Sequence, residues 1–154
     1  MNMLTTGQKA PEFSLLDQNG NTVELNVLLK SAAVLLYFYP KAMTPGCTVQ
    51  ACNLRDSQAE FSQKGVQVLG ISTDPVKSLA KFTERDALNF TLLSDPDHQT
   101  AAAFGVWGEK KFMGKVYDGI HRVSFLIGQD GIIQQVYQGF KTSNHHEVVL
   151  KSLP

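Results

Sequence analysis

Hydrophobic and polar positions follow two different periods along this chain. The run "AAVLLYFY", Ala32 to Tyr39, is continuously apolar and rich in β-formers, the pattern of a strand buried on both faces. "VQVLGIS", Val66 to Ser72, predicts a second central strand, and residues 45 to 64 between them have helical composition. Strand, helix and strand in that order suggest a βαβ unit. Upstream, "FSLLDQNGNTVEL" places Asn19-Gly20 between two short apolar-containing runs, which predicts an N-terminal β-hairpin. Downstream, "DPVKSLAKFTERD" predicts a helix with Asp74 as N-cap and Pro75 at its first position. "NFTLLSD" reads as a short strand, "DHQTAAAFGV" as a short helix closed near Gly105, and "GEKKFMGKVYDG", residues 108 to 119, as a long loop. "HRVSFLI", a turn over "GQDG", and "IIQQVYQ" then predict a hairpin. Last comes a helix over "SNHHEVVLKSL", where Asn144 and Glu147 have capping-box-like spacing. This alternation points to an α/β fold, helices flanking a central mixed β-sheet.

The length of 154 residues fits a single domain over 1–154. With 14 acidic and 14 basic residues the formal net charge is zero, so nothing favours nucleic acid or an anionic membrane surface as partner. The longest apolar run is too short to span a bilayer. The opening "MNMLTTGQKAPEF" lacks the basic cluster and apolar segment of a secretory signal, so the expected address is cytoplasmic. In a reducing compartment, paired cysteines are more often catalytic, redox-sensing or metal ligands than permanent staples.

Composition matters most at the two cysteines, Cys47 and Cys52, in "TPGCTVQAC". Thr44 suits an N-cap and Pro45 the first helical position, and proline pushes the residue before it out of the α region, as a cap requires. Cys47 then falls in the first turn, where unpaired amides and the positive end of the helix dipole favour a thiolate. Residues five apart on a helix have Cα atoms about 8.7 Å apart, beyond the roughly 4.4–6.8 Å of a disulfide. The pair can bond only if at least one turn unwinds. Cys47, Ala51, Leu54 and Phe61 line a core-facing stripe, with Gln58 the exception, whereas Cys52 shares its side with Thr48, Arg55 and Ala59. Two buried, inert cysteines remain an equally good reading at this point. Metal binding is weaker, because the spacing is wrong and His98, His121, His145 and His146 offer no compatible pairing. His145 and His146 read as solvated residues of a terminal helix.

The stretch "YPKAMTPGCTVQACNLRD" resembles the peroxiredoxin signature Pro-x-x-x-Thr-x-x-Cys, most closely that of the peroxiredoxin Q or bacterioferritin comigratory protein subgroup. The likeness extends through "APEFSLLDQNG", "GISTDP", "NFTLLSDPDH", "FGVWGEKKFMGK", "GIHRVSFLI" and "KTSNHHEVVL". It implies a thioredoxin-like fold with an N-terminal extension, and a thiol peroxidase acting on hydrogen peroxide and organic hydroperoxides. Cys47 matches the peroxidatic cysteine and Cys52 the resolving one. Pro40, Thr44 and Arg122 match the other active-site positions. Some relatives carry a further cysteine in the segment matching "HQTAAAFG", where this chain has none. On spacing alone, Arg122 reads as a charge at an exposed strand end, and Pro40 as a rigid turn. The resemblance makes Arg122 a partner of the sulfur, and gives Pro40 the shaping and shielding of the pocket. It further implies thioredoxin as reductant, no metal, flavin or haem cofactor, and a monomer. The alternatives are a general thiol–disulfide oxidoreductase, disfavoured by the absent C-x-x-C pair, and a non-enzymatic redox sensor.

Overall fold

The computed structural model describes residues 2–154. Its centre is β3 (Ala33–Phe38), paired in parallel with β4 (Val66–Ser72) and antiparallel with β8 (Ser124–Ile127). β5 (Thr91–Ser94) lies parallel to β4, and β9 (Ile133–Tyr137) pairs antiparallel with β8. The N-terminal hairpin of β1 (Ser14–Asp17) and β2 (Thr22–Glu24) joins along β5, so the seven strands run β2-β1-β5-β4-β3-β8-β9. The α/β fold, its mixed sheet and the hairpin extension are those expected from the sequence.

The continuous apolar run is explained by the two cores it feeds. Leu35, Tyr37 and Tyr39 face one side of the sheet, packed with α2 (Pro45–Asp56), α3 (Gln58–Gln63), α4 (Val76–Asp86) and α6 (His145–Ser152). Val34, Leu36 and Phe38 face the other, with Phe104, Val106 and Phe125 beside α1 (Leu25–Leu28) and α5 (Gln99–Ala103). Tyr37 stands opposite Gly70 of β4, and a Cβ on Gly70 would lie 2.8 Å from the tyrosine ring. Glycine there leaves room for the ring across the strand pair.

Four local expectations need correction. Residues 45 to 64 form two helices, because Ser57 Oγ donates to Asn53 O and Gln58 Nε2 to Leu54 O. Such back-bonding competes with the helical ladder. The cap of α4 is Pro75, one residue later than expected, because the Asp74 carboxylate is engaged by Ser72 Oγ and the Ala42 amide. Residues 108 to 119 are no loop. They belong to a separate hairpin of β6 (Trp107–Phe112) and β7 (Lys115–Ile120), closed by Met113 and Gly114 with φ of 50° and 78°. Positive φ at both turn residues suits the strand twist, and exposed Phe112, Met113, Val116 and Tyr117 leave no buried face to produce a strand pattern. Finally, Asn144 caps α6 without a side-chain bond to it; its Oδ1 accepts from the Lys141 amide instead.

Candidate active site

Two chain crossings at one end of β3 assemble the site. The chain leaves β3 at Phe38, turns through Pro40 to Met43, and enters α2 at Thr44. Because β8 runs antiparallel to β3, the start of β8 lies beside the end of β3, and the Phe38 amide donates to Val123 O. Arg122 therefore reaches the mouth of α2 although it follows Cys47 by 75 residues. It precedes β8, which begins at Ser124 rather than at His121, and is partly buried.

Thr44 is extended, with φ −78° and ψ 157°, and Pro45 opens the helix. The Thr44 carbonyl accepts the Thr48 amide at 2.9 Å. Its hydroxyl does not cap the helix, contrary to expectation, but donates to Lys41 O at 2.8 Å. The turn before it is pinned where the Ala42 amide donates to Asp74 Oδ2 at 2.8 Å, and Met43 has φ 65°. Pro40 is half-buried at the head of this turn.

Cys47 is 2% exposed, and both terminal nitrogens of Arg122 lie 3.5 Å from its sulfur. Arg122 Nη1 also donates to Gln50 Oε1 at 2.6 Å. Gln50 is buried, stands one turn after Cys47, and has its Nε2 without a partner among the described residues. A neutral amide orients the guanidinium without cancelling its charge, so the field at the sulfur stays positive. Cys52 is partly exposed, and both thiols are free within one continuous helix.

Behind Arg122, Ser124 Oγ and His145 Nε2 share a 2.8 Å hydrogen bond. His145 is fully buried between Phe140 and Tyr37, not solvated as expected. Burial, with the charges of His146 and Arg122, pushes its pKa down to about 3, so the ring is neutral. Lys110 of β6 donates to Ile120 O, and its pKa is lowered by burial and then by Arg122.

Sequence reasoning named Pro40, Thr44, Cys47 and Arg122, and the fold gathers all four at this helix mouth. It missed Gln50, whose signal was available: a polar residue three after Cys47 on the core-facing stripe. It also missed Asp74 and His145, which no local pattern distinguishes.

The AhpC/TSA family model matches residues 6–136. The chain is 62% identical over 153 residues to Peroxiredoxin Bcp of Escherichia coli (strain K12), covering 99% of this chain and 97% of that one. Among solved structures it is similar to peroxidoxin BcpB from Mycobacterium tuberculosis, with TM-score 0.87, 39% identity, and 97% and 96% of the two chains covered. It is likewise similar to the bacterioferritin comigratory protein of Xanthomonas campestris, whose structures address alkyl peroxide reduction. That match has TM-score 0.85 and 33% identity, covering 91% of this chain and 88% of that one. With its thioredoxin-like fold, the chain belongs to the AhpC/TSA family as a peroxiredoxin of the Bcp/PrxQ kind, a thiol peroxidase that takes a peroxide as substrate and a thiol as reductant.

Proposed function

We propose that Cys47 is the peroxidatic nucleophile, Cys52 its resolving partner, and Arg122, Thr44 and Pro40 the residues that serve the first step. The observation that carries this reading is the Arg122 guanidinium at 3.5 Å from the buried Cys47 sulfur. A fixed cation and the helix N-terminus both favour the thiolate. The Cys47 thiolate attacks the terminal oxygen of ROOH, the O–O bond breaks, and the leaving alkoxide takes a proton to give ROH. The sulfur is oxidised to a sulfenic acid. Arg122 and the Cys47 amide donate where negative charge shifts along the O–O bond. With its own hydroxyl hydrogen donated to Lys41 O, the Thr44 oxygen accepts a hydrogen bond from the hydroperoxide O–H and holds the substrate in line. Pro40, lacking an N–H, shields that pocket.

In the second step the Cys52 thiol condenses with the sulfenic acid, forming the Cys47–Cys52 disulfide and releasing water. Since α2 holds both cysteines in one continuous helix, that bond needs local unwinding. An external dithiol then reduces it, with thioredoxin as that donor. Both cysteines lie in one thioredoxin-like domain, so a cytoplasmic monomer suffices. The alkyl peroxide activity of the Xanthomonas relative supports organic hydroperoxides as substrates alongside hydrogen peroxide.

The test is a coupled assay with thioredoxin and its reductase, using hydrogen peroxide and an alkyl hydroperoxide. Wild type should turn over both. Cys47→Ser should be inactive with both, and full turnover by that variant overturns the assignment.

A further inference from the structure

The side of α2 that carries Cys52 is fastened to the C-terminal end of α4. Arg85 Nη2 donates to Thr48 Oγ1 at 2.8 Å. The same guanidinium is held by Asp86 Oδ2, at 3.0 Å from Nε and 2.9 Å from Nη2, and lies 5.8 Å from the Phe82 ring centroid. One turn beyond Cys52, Arg55 Nη1 donates to Asp86 O at 2.6 Å and Asn89 Nδ2 donates to Arg55 O at 3.2 Å. Cys52 therefore lies between two ties, at Thr48 and at Arg55. Only the Thr48 tie reaches the first turn, the part that must open for the sulfurs to meet.

A second feature works against that tie. Met43, just before the helix, has φ 65°, a conformation that costs a non-glycine residue free energy. The turn holding it is pinned by Asp74, so the strain persists while the helix start stays in place. Unwinding that ran back through Thr44 would let Met43 leave this geometry. A strained turn on one side and a charged hydrogen bond on the other thus oppose each other across Cys47.

We propose that Arg85 is a positioning residue for the resolution step: its grip on Thr48 holds the first turn of α2 wound, with Cys47 seated against Arg122, and its release lets Cys52 reach Cys47. The inference rests on the proposed role of Cys52. While the turn is wound, the sulfenic acid can meet a second ROOH, which oxidises it to sulfinic acid and leaves as ROH. Once the turn opens, condensation with the Cys52 thiol releases water and protects the sulfur. Arg85 thereby sets the partition between recycling and inactivation.

Arg85→Met keeps the aliphatic packing and Thr48→Val keeps the shape, yet each removes the tie. After one equivalent of peroxide, rapid quenching with a thiol alkylator and intact mass measurement separates sulfenic acid, disulfide and sulfinic acid. Each variant should form the disulfide roughly three- to tenfold faster, the range expected for one partly exposed charged hydrogen bond. Each should also yield proportionately less sulfinic acid under excess peroxide. The double variant should match either single one, because both remove the same bond. Disulfide rates within twofold of wild type, or additive effects, overturn the inference. So does a lowered melting temperature with an unchanged disulfide-to-sulfinic ratio, the result of a merely structural contact. A wild-type chain that forms no Cys47–Cys52 disulfide overturns the recycling reading itself, and this inference with it.

Discussion

Cys47 and Cys52 belong to one helix, yet their surroundings are opposite. Cys47 is buried against a cation that is itself held by a buried amide. Cys52 is partly exposed on a face tied to surface arginines and a main-chain carbonyl. The first environment surrounds a sulfur with buried partners and a fixed cation, and the second consists of bonds at or near the surface. The proposed opening of the active site would draw on this asymmetry: a rigid mould for the attack and a weaker fastening for the step that follows.

The comparison breaks most completely at Cys52. Cys52→Ser should leave one sulfenic acid formed per chain, seen by mass after dimedone trapping, while steady-state turnover with thioredoxin is lost. Continued turnover would place resolution elsewhere. On the other side, Arg122→Met removes the charge while keeping the aliphatic stem, and should slow the peroxide reaction about 10²–10³-fold, the scale of losing one preorganised donor. Stopped-flow consumption of hydrogen peroxide checks this.

A subtler change sharpens the role of the neutral amide. Gln50→Glu still accepts from Arg122 but adds a buried negative charge next to the sulfur, and should slow the first step about tenfold. The disulfide-forming rate should stay unaltered, and equal slowing of both steps would argue against separate environments.

The last effect, on stability and not on rate, concerns His145, which lies outside both cysteine environments. Its pKa is pushed down to about 3 in the fold, against about 6.5 in the unfolded chain. Between those values the unfolded chain binds the extra proton, so stability falls as pH drops from about 6.5 toward 3, by up to about 1.4 kcal/mol per pH unit from this group. His145→Gln, which can still bond Ser124, should flatten that slope in urea unfolding between pH 4 and 7. An unchanged slope would mean that other groups carry the acid sensitivity.

Legibility along the chain followed burial. The strand over Val66 to Ser72 was read with its observed limits, and Ala33–Phe38 was read because both faces are covered. The β6–β7 hairpin was missed because exposed Phe112, Met113, Val116 and Tyr117 obscure any alternation, and its Met-Gly turn lacks the usual Asn-Gly signal. His145 was read as solvated because polarity and a helix N-terminus say nothing of what packs above. Phe140 and Tyr37 cover it, from positions five before it and more than a hundred before it in the chain.

The sequence by itself determined the chemistry available at the helix mouth: a cap position, proline, a cysteine in the first turn, and a second cysteine five residues on. Those are local facts, fixed by backbone preference and helical rise over a few residues. Only the tertiary structure decided what surrounds the two sulfurs. The antiparallel pairing of β8 with β3 delivers Arg122 to Cys47, and the packing of α4 against α2 delivers Arg85 to Thr48. Neither meeting can be read from residues 75 or 37 positions apart, because such contacts depend on how strands and helices pair, and not on any local period.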